Sequence, residues 1–149
     1  MYRLALILHL LSVIVWIGGM FFAHAVLRPA AIPLEHRLRL ELWNRVLALF
    51  FRYVWTAVVL LLTTGFWIIF DLYGGFAGLP VRIHFMTGLG LVMIANFTFI
   101  YTAPYAAFRR AVDDQLYDVA TLKQGTIRRL ILANLVLGTS IIVVGLLFR

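Results

Sequence analysis

Four stretches of the chain contain no Asp, Glu, Lys or Arg: residues 4–27, 53–70, 83–108 and 130–148. Crossing the hydrocarbon core of a bilayer takes about 20 apolar residues in helical form. Inside lipid the backbone must bond to itself, so each stretch reads as a helix. The predicted fold class is therefore all-α integral membrane, a four-transmembrane-helix up-down bundle forming a single domain over residues 1–149. The predicted helices cover residues 4–28, 46–71, 81–108 and 128–148, joined by cytoplasmic connections 29–45 and 109–127. The second begins ahead of its uncharged stretch, with Arg52 snorkelling to the headgroups. Composition agrees: 64% of the 149 residues are hydrophobic and 13% charged, against about 25% charged in an average soluble domain. That is too little polar surface for a soluble enzyme.

The basic residues are distributed unevenly. Arg28, Arg37, Arg39, Arg45 and Arg52 flank the first connection, and Arg109, Arg110, Lys123, Arg128 and Arg129 the third. Arg3, Arg82 and Arg149 remain for the other side. The positive-inside rule then predicts a multi-pass protein of a bacterial inner membrane with both termini periplasmic. The net charge of +7 is explained by topology, so nucleic acid is not an expected partner; membrane lipid is. The turn at residues 71–82 carries Gly74, Gly75, Gly78 and Pro80 and reads as tight. Residues 34–45 and 106–117 mix apolar and charged residues at helical spacing, as helix extensions, interfacial helices or solvated loops. Ala23-His24-Ala25 has the form of a signal cleavage site, but the apolar stretch before it is too long for a signal peptide and is kept as a helix.

Shifting the chain by 75 residues aligns His9 with His84, Pro29 with Pro104, Phe22 with Phe97, Leu60 with Leu135 and Thr64 with Thr139. Such a repeat predicts two parallel hairpins. In an up-down bundle the first and third helices are then diagonal and parallel, and His9 and His84 sit at similar depth near the outer surface.

Ionisable residues within membrane spans by default face the bundle interior, a partner or a cofactor. On the first helix His9, Val13, Trp16, Met20 and Leu27 form one stripe, expected to face inward. On the third, His84, Gly88, Leu91, Ala95 and Thr102 form another, whose small residues serve close helix packing, a flat ligand beside the histidine, or a homodimer equally well. With no cysteine in the chain, a metal or haem must be held by His, Met or oxygen. Two imidazoles at one depth fit axial ligation of haem b iron, with Arg82 and Arg3 at the rim for the propionates and Trp16, Met20 and Gly88 around the cofactor. Copper on the same two histidines, or histidines that only bond across helices, are the alternatives. His24 with Arg28 marks a secondary site for lipid phosphate, quinone or a carboxylate. Asn96 and Asn134 stand at similar depth on consecutive helices and are expected to bond each other.

His9-Leu10-Leu11, Trp16-Ile17-Gly18-Gly19-Met20-Phe21-Phe22-Ala23-His24 and Leu27-Arg28-Pro29-Ala30 resemble the opening helix of small CopD-domain (copper resistance D-like) membrane proteins. The likeness continues through Thr64-Gly65, Arg82-Ile83-His84, Ala103-Pro104-Tyr105 and Ile127-Arg128-Arg129-Leu130, over almost the whole chain. That resemblance implies copper uptake, with His9 and His84 as candidate ligands. A more distant similarity, to HemJ-type protoporphyrinogen oxidases, implies haem b bound through a histidine at the position of His9, and His84 resembles the histidine of their third helix. Met86 stands where their third-helix pattern has Lys. The functional expectation is a haem b-binding membrane protein with a redox role, either electron transfer or oxidation of a quinone, porphyrinogen or reactive oxygen species. Its alternative is a copper-binding or copper-transporting protein.

Overall fold

The computed structural model describes residues 2–147; the far end of the fourth predicted span, Phe148, and Arg149 lie outside them. The described residues are helical with no strand, and four helices are long and apolar enough to cross a membrane: α1 Tyr2–Ala30, α2 His36–Tyr73, α3 Val81–Asp113 and α4 Tyr117–Leu147. Short connections separate them, so consecutive helices run antiparallel. The turn between α2 and α3 lies with the two chain ends, here called the terminal end; the other two connections form the opposite, connection end.

The helices run further toward the connection end than hydropathy predicts. The mixed segments 34–45 and 106–117 resolve largely as extensions of α2 and α3, and α4 begins at Tyr117 rather than 128. The cause is visible in the side chains. Leu40, Leu47, Phe51 and Val54 continue one buried stripe along α2, while Arg37 and Glu41 pair across one helical turn at 2.8 Å. Apolar burial on one face and ion pairing on the other hold a helix where hydropathy alone sees a loop. At the terminal end α2 stops at Gly74, whose left-handed φ of 68° lets its N–H bond to the Ile69 carbonyl. Pro80 then precedes α3.

Helix α1 is interrupted by π-helical turns at Ile14–Gly18 and Ala23–Leu27, and α3 by one at Tyr101–Tyr105. Pro104 lies inside the last, and Pro29 follows the second by two residues. Proline has no N–H for the α-helical ladder, and a π turn absorbs the lost bond without breaking the span. These two prolines are the pair the 75-residue repeat aligns, and the packing follows the same halves: α1 rests chiefly on α2, and α3 on α4.

The two hairpins meet around the middle and connection half. Gly138 of α4 is buried under Ile17 of α1 and Met93 of α3, a small residue that lets neighbouring helices approach. Asn134, 1% exposed, donates to the Met93 carbonyl at 3.1 Å and accepts from Asn96 Nδ2 at 2.8 Å. Asn96 also donates to the Leu130 carbonyl, so the expected amide pair closes a bonded network between α3 and α4. Toward the terminal end the hairpins part. Tyr2–Val13 packs on α2, and Val81–Ile100 chiefly on α4, with little contact between the two.

Candidate functional site

Of the four histidines, His9 is the one fixed inside a hairpin. It stands two turns into α1, where the helix is uncharged and lies against α2, and its Nδ1 is 2.9 Å from Thr64 Oγ1. Thr64 is 6% exposed, and its own hydroxyl proton is directed to the Leu60 carbonyl one turn back. When that proton is given to Leu60 the Thr64 oxygen accepts, and the bond is donated by a proton on His9 Nδ1. The neutral ring then carries its lone pair on Nε2. A protein group that fixes one ring nitrogen as donor orients the other as a ligand, as partners behind metal-bound histidines do. Gly65 completes the seat: a Cβ there would stand 3.3 Å from His9 Cε1, so the absence of a side chain lets the imidazole lie close to α2.

Along α1 the predicted inward stripe continues below His9. Trp16 and Met20 are buried, at 4% and 2% exposure. Trp16 opens a cluster of rings from three helices. Its centroid is 5.9 Å from Phe97, which lies 5.1 Å from Trp55 and 5.4 Å from Phe51; Phe51 in turn is 4.8 Å from Tyr105. These are edge-on contacts, the arrangement favoured by aromatic quadrupoles. The cluster runs from the middle of the bundle toward the connection end. Sequence reasoning singled out Trp16 alone, because rings spread over α1, α2 and α3 show no common spacing; the signal was the aromatic content of these spans.

The stripe predicted on α3 is turned the other way. His84, Gly88, Leu91, Ala95 and Thr102 are all exposed, and no atom lies within 4 Å of a Cβ placed on Gly88. The core-facing residues of α3 are Met93, Phe97 and Ile100. Nine residues separate His84 from Met93, about 900° at 100° per residue, which is half a turn away from the core. His84 therefore does not face His9 across the bundle, and one chain does not bring the two imidazoles together. The physical reason is that both faces of a membrane helix are apolar, so a small-residue stripe looks alike whether it faces protein or lipid. Near a helix end, three residues from Val81, an imidazole reaches the headgroup layer without an interior partner.

Arg3 is exposed at the terminal end, and Arg82, the second residue of α3, is half-buried. His24 is half-buried and Arg28 exposed, both toward the connection end of α1. His36, which falls in the first predicted connection, bonds through Nε2 to Thr121 Oγ1 at 2.8 Å and ties the start of α2 to α4. Among the described residues, no three His, Asp or Glu side chains are grouped to hold a metal ion. The chain matches no protein-family model, and neither a curated protein nor a solved structure is found similar to it.

Proposed function

We propose that this is a haem b-binding redox protein of a bacterial inner membrane, with His9 Nε2 as the axial ligand to iron and both termini periplasmic. The observation that carries the reading is the hydrogen-bond relay from His9 Nδ1 through Thr64 to the Leu60 carbonyl, which presents Nε2 as an electron-pair donor. A haem needs only one or two ligands from the protein, because the porphyrin supplies the other four. Copper held by His9 would need further protein ligands, and among the described residues no three His, Asp or Glu side chains are grouped to supply them. A cofactor bringing its own ligands is therefore the better match to a single oriented imidazole. The resemblance to CopD-domain and HemJ-type proteins belongs to the same proposal, as does the orientation, which rests on the Arg and Lys distribution.

When bound, haem b supplies one-electron exchange with a small membrane-accessible partner such as a quinone. The chain's own contributions are separate from that chemistry. Thr64 holds the imidazole in one tautomer and one rotation. Arg3 and Arg82, at the same end of the bundle, provide cations for carboxylate side groups. The parted terminal halves of the hairpins leave α1 accessible from the side of α3 and α4. His84 does not fit as a second ligand from the same chain. The test is the haem, iron and copper content of protein purified in mild detergent. Haem approaching one per chain is expected; copper at that ratio without haem overturns the proposal in favour of copper binding.

A further inference from the structure

A second site lies at the connection end, independent of His9. The first turns of α2 and the junction between α3 and α4 enclose a polar cleft of about 410 Å³. Arg37, Glu41, Asn44 and Arg45 line it from α2; Asp113 and Gln115 line it from the other hairpin. The α2 residues fall at i, i+4, i+7 and i+8, one face of a helix. The α2 side of the cleft carries both charge signs, and the charged lining residue of the other side is Asp113. Arg37 holds one Glu41 oxygen at 2.8 Å, and Asp113 meets Arg109 only at 3.9 Å. Arg45 and Asn44 make no hydrogen bond within the described residues.

The depth of the cleft identifies its surroundings. From Arg45 to Asp71, the next charged residues beyond Arg52 and the apolar span, is 26 residues, or about 39 Å along a helix. A bilayer including its headgroups measures about 40–45 Å, so Arg45 stands in the headgroup layer at the membrane-facing rim of the cleft, and Arg37, further out along the same helical face, stands at its watery side. Unpartnered guanidinium and amide donors there suit a phosphate. The Glu41 and Asp113 carboxylates beside them repel a second negative charge and accept from an ammonium.

We propose that this cleft binds the zwitterionic phosphoethanolamine headgroup of a membrane lipid, phosphate toward Arg45 and Asn44 and ammonium toward Glu41 and Asp113. An ammonium has N–H donors that the trimethylammonium of phosphocholine lacks, so the site discriminates between the two. Phosphatidylglycerol, with a phosphate and no ammonium, brings no cation to the carboxylate oxygens that Arg37 and Arg109 leave open.

Native mass spectrometry of the full chain in mild detergent, with phosphatidylethanolamine, phosphatidylcholine and phosphatidylglycerol supplied in turn, reads the proposal directly. Phosphatidylethanolamine is expected to be retained most. Arg45→Gln lowers its retention about tenfold, the effect of losing a charge-assisted bond. Glu41→Gln leaves phosphate binding but removes the preference over phosphatidylcholine. Both side chains lie on the surface face of α2, and unchanged helicity by circular dichroism confirms folding. Equal retention of the three lipids, a preference for phosphatidylglycerol, or insensitivity to both substitutions overturns the proposal. Free phosphoethanolamine distinguishes the source: displacement of the lipid by it at equal concentration assigns the cleft to a soluble ligand and overturns the lipid assignment, whereas no displacement supports it.

Discussion

Replacing Thr64 by valine tests the His9 seat while keeping its shape. Valine is isosteric with threonine but cannot accept the Nδ1–H bond. Side-chain hydrogen bonds between membrane helices contribute about 0.6 kcal/mol on average and about 1.7 at most. That energy is what holds the His9 proton on Nδ1. With RT near 0.59 kcal/mol, its loss changes the ratio of the two ring tautomers by about 3- to 18-fold. Through the tautomer alone haem affinity falls by at most that factor, and loss of a partner behind a ligating histidine typically weakens metal binding by about 10- to 100-fold in all. Thr64→Ser keeps the acceptor and is expected to bind as the parent does. The assay is haem titration of the apoprotein in detergent, followed at the Soret band, with the His9 tautomer read from ¹⁵N chemical shifts. Two results refute the reasoning: equal affinity in Thr64→Val and the parent, or a proton found on Nε2 in the unmodified protein.

Two further substitutions test the packing that places this seat. Asn134→Leu removes two bonds between α3 and α4 and is expected to destabilise by about 1 kcal/mol in an unfolding titration, with Asn96→Leu adding little in the double mutant because they share a bond. At Gly138 a Cβ would stand 2.8 Å from Ile17 Cδ1 and 3.1 Å from Met93 Cε; those flexible ends yield to alanine at about 1 kcal/mol, whereas Gly138→Leu exceeds about 3 kcal/mol and separates the hairpins, seen as loss of protease resistance.

The spans were legible because hydrocarbon admits few structures, and a stretch without charge announces itself. The inward stripe of α1 was legible too, since Trp16 and Met20 follow His9 at helical spacing and their bulk belongs in a core. Three features were not. The extensions of α2 and α3 mix charge with apolar residues, and only tertiary contacts, such as burial of Leu40 and Phe108, decide between helix and loop. The facing of α3 was misread because Gly88 and Ala95 carry no signal that separates a protein interface from lipid; the bulky Met93, Phe97 and Ile100 on the opposite side were the better guide. Thr64 enters the sequence reading only through its alignment with Thr139 and the Thr64-Gly65 resemblance; its bond to His9 crosses 55 positions in sequence, and no local pattern encodes a partner at that distance.

The central claim is that His9 alone, in the tautomer fixed by Thr64, is this chain's ligand for haem iron. Visible spectra of the purified protein, oxidised and dithionite-reduced, with His9→Ala and His84→Ala alongside, address it most directly. The account predicts a Soret band that His9→Ala abolishes and that His84→Ala leaves in place in the monomer, as its exposure on the far face of α3 requires. A band retained in His9→Ala, or lost equally in monomeric His84→Ala, would contradict it.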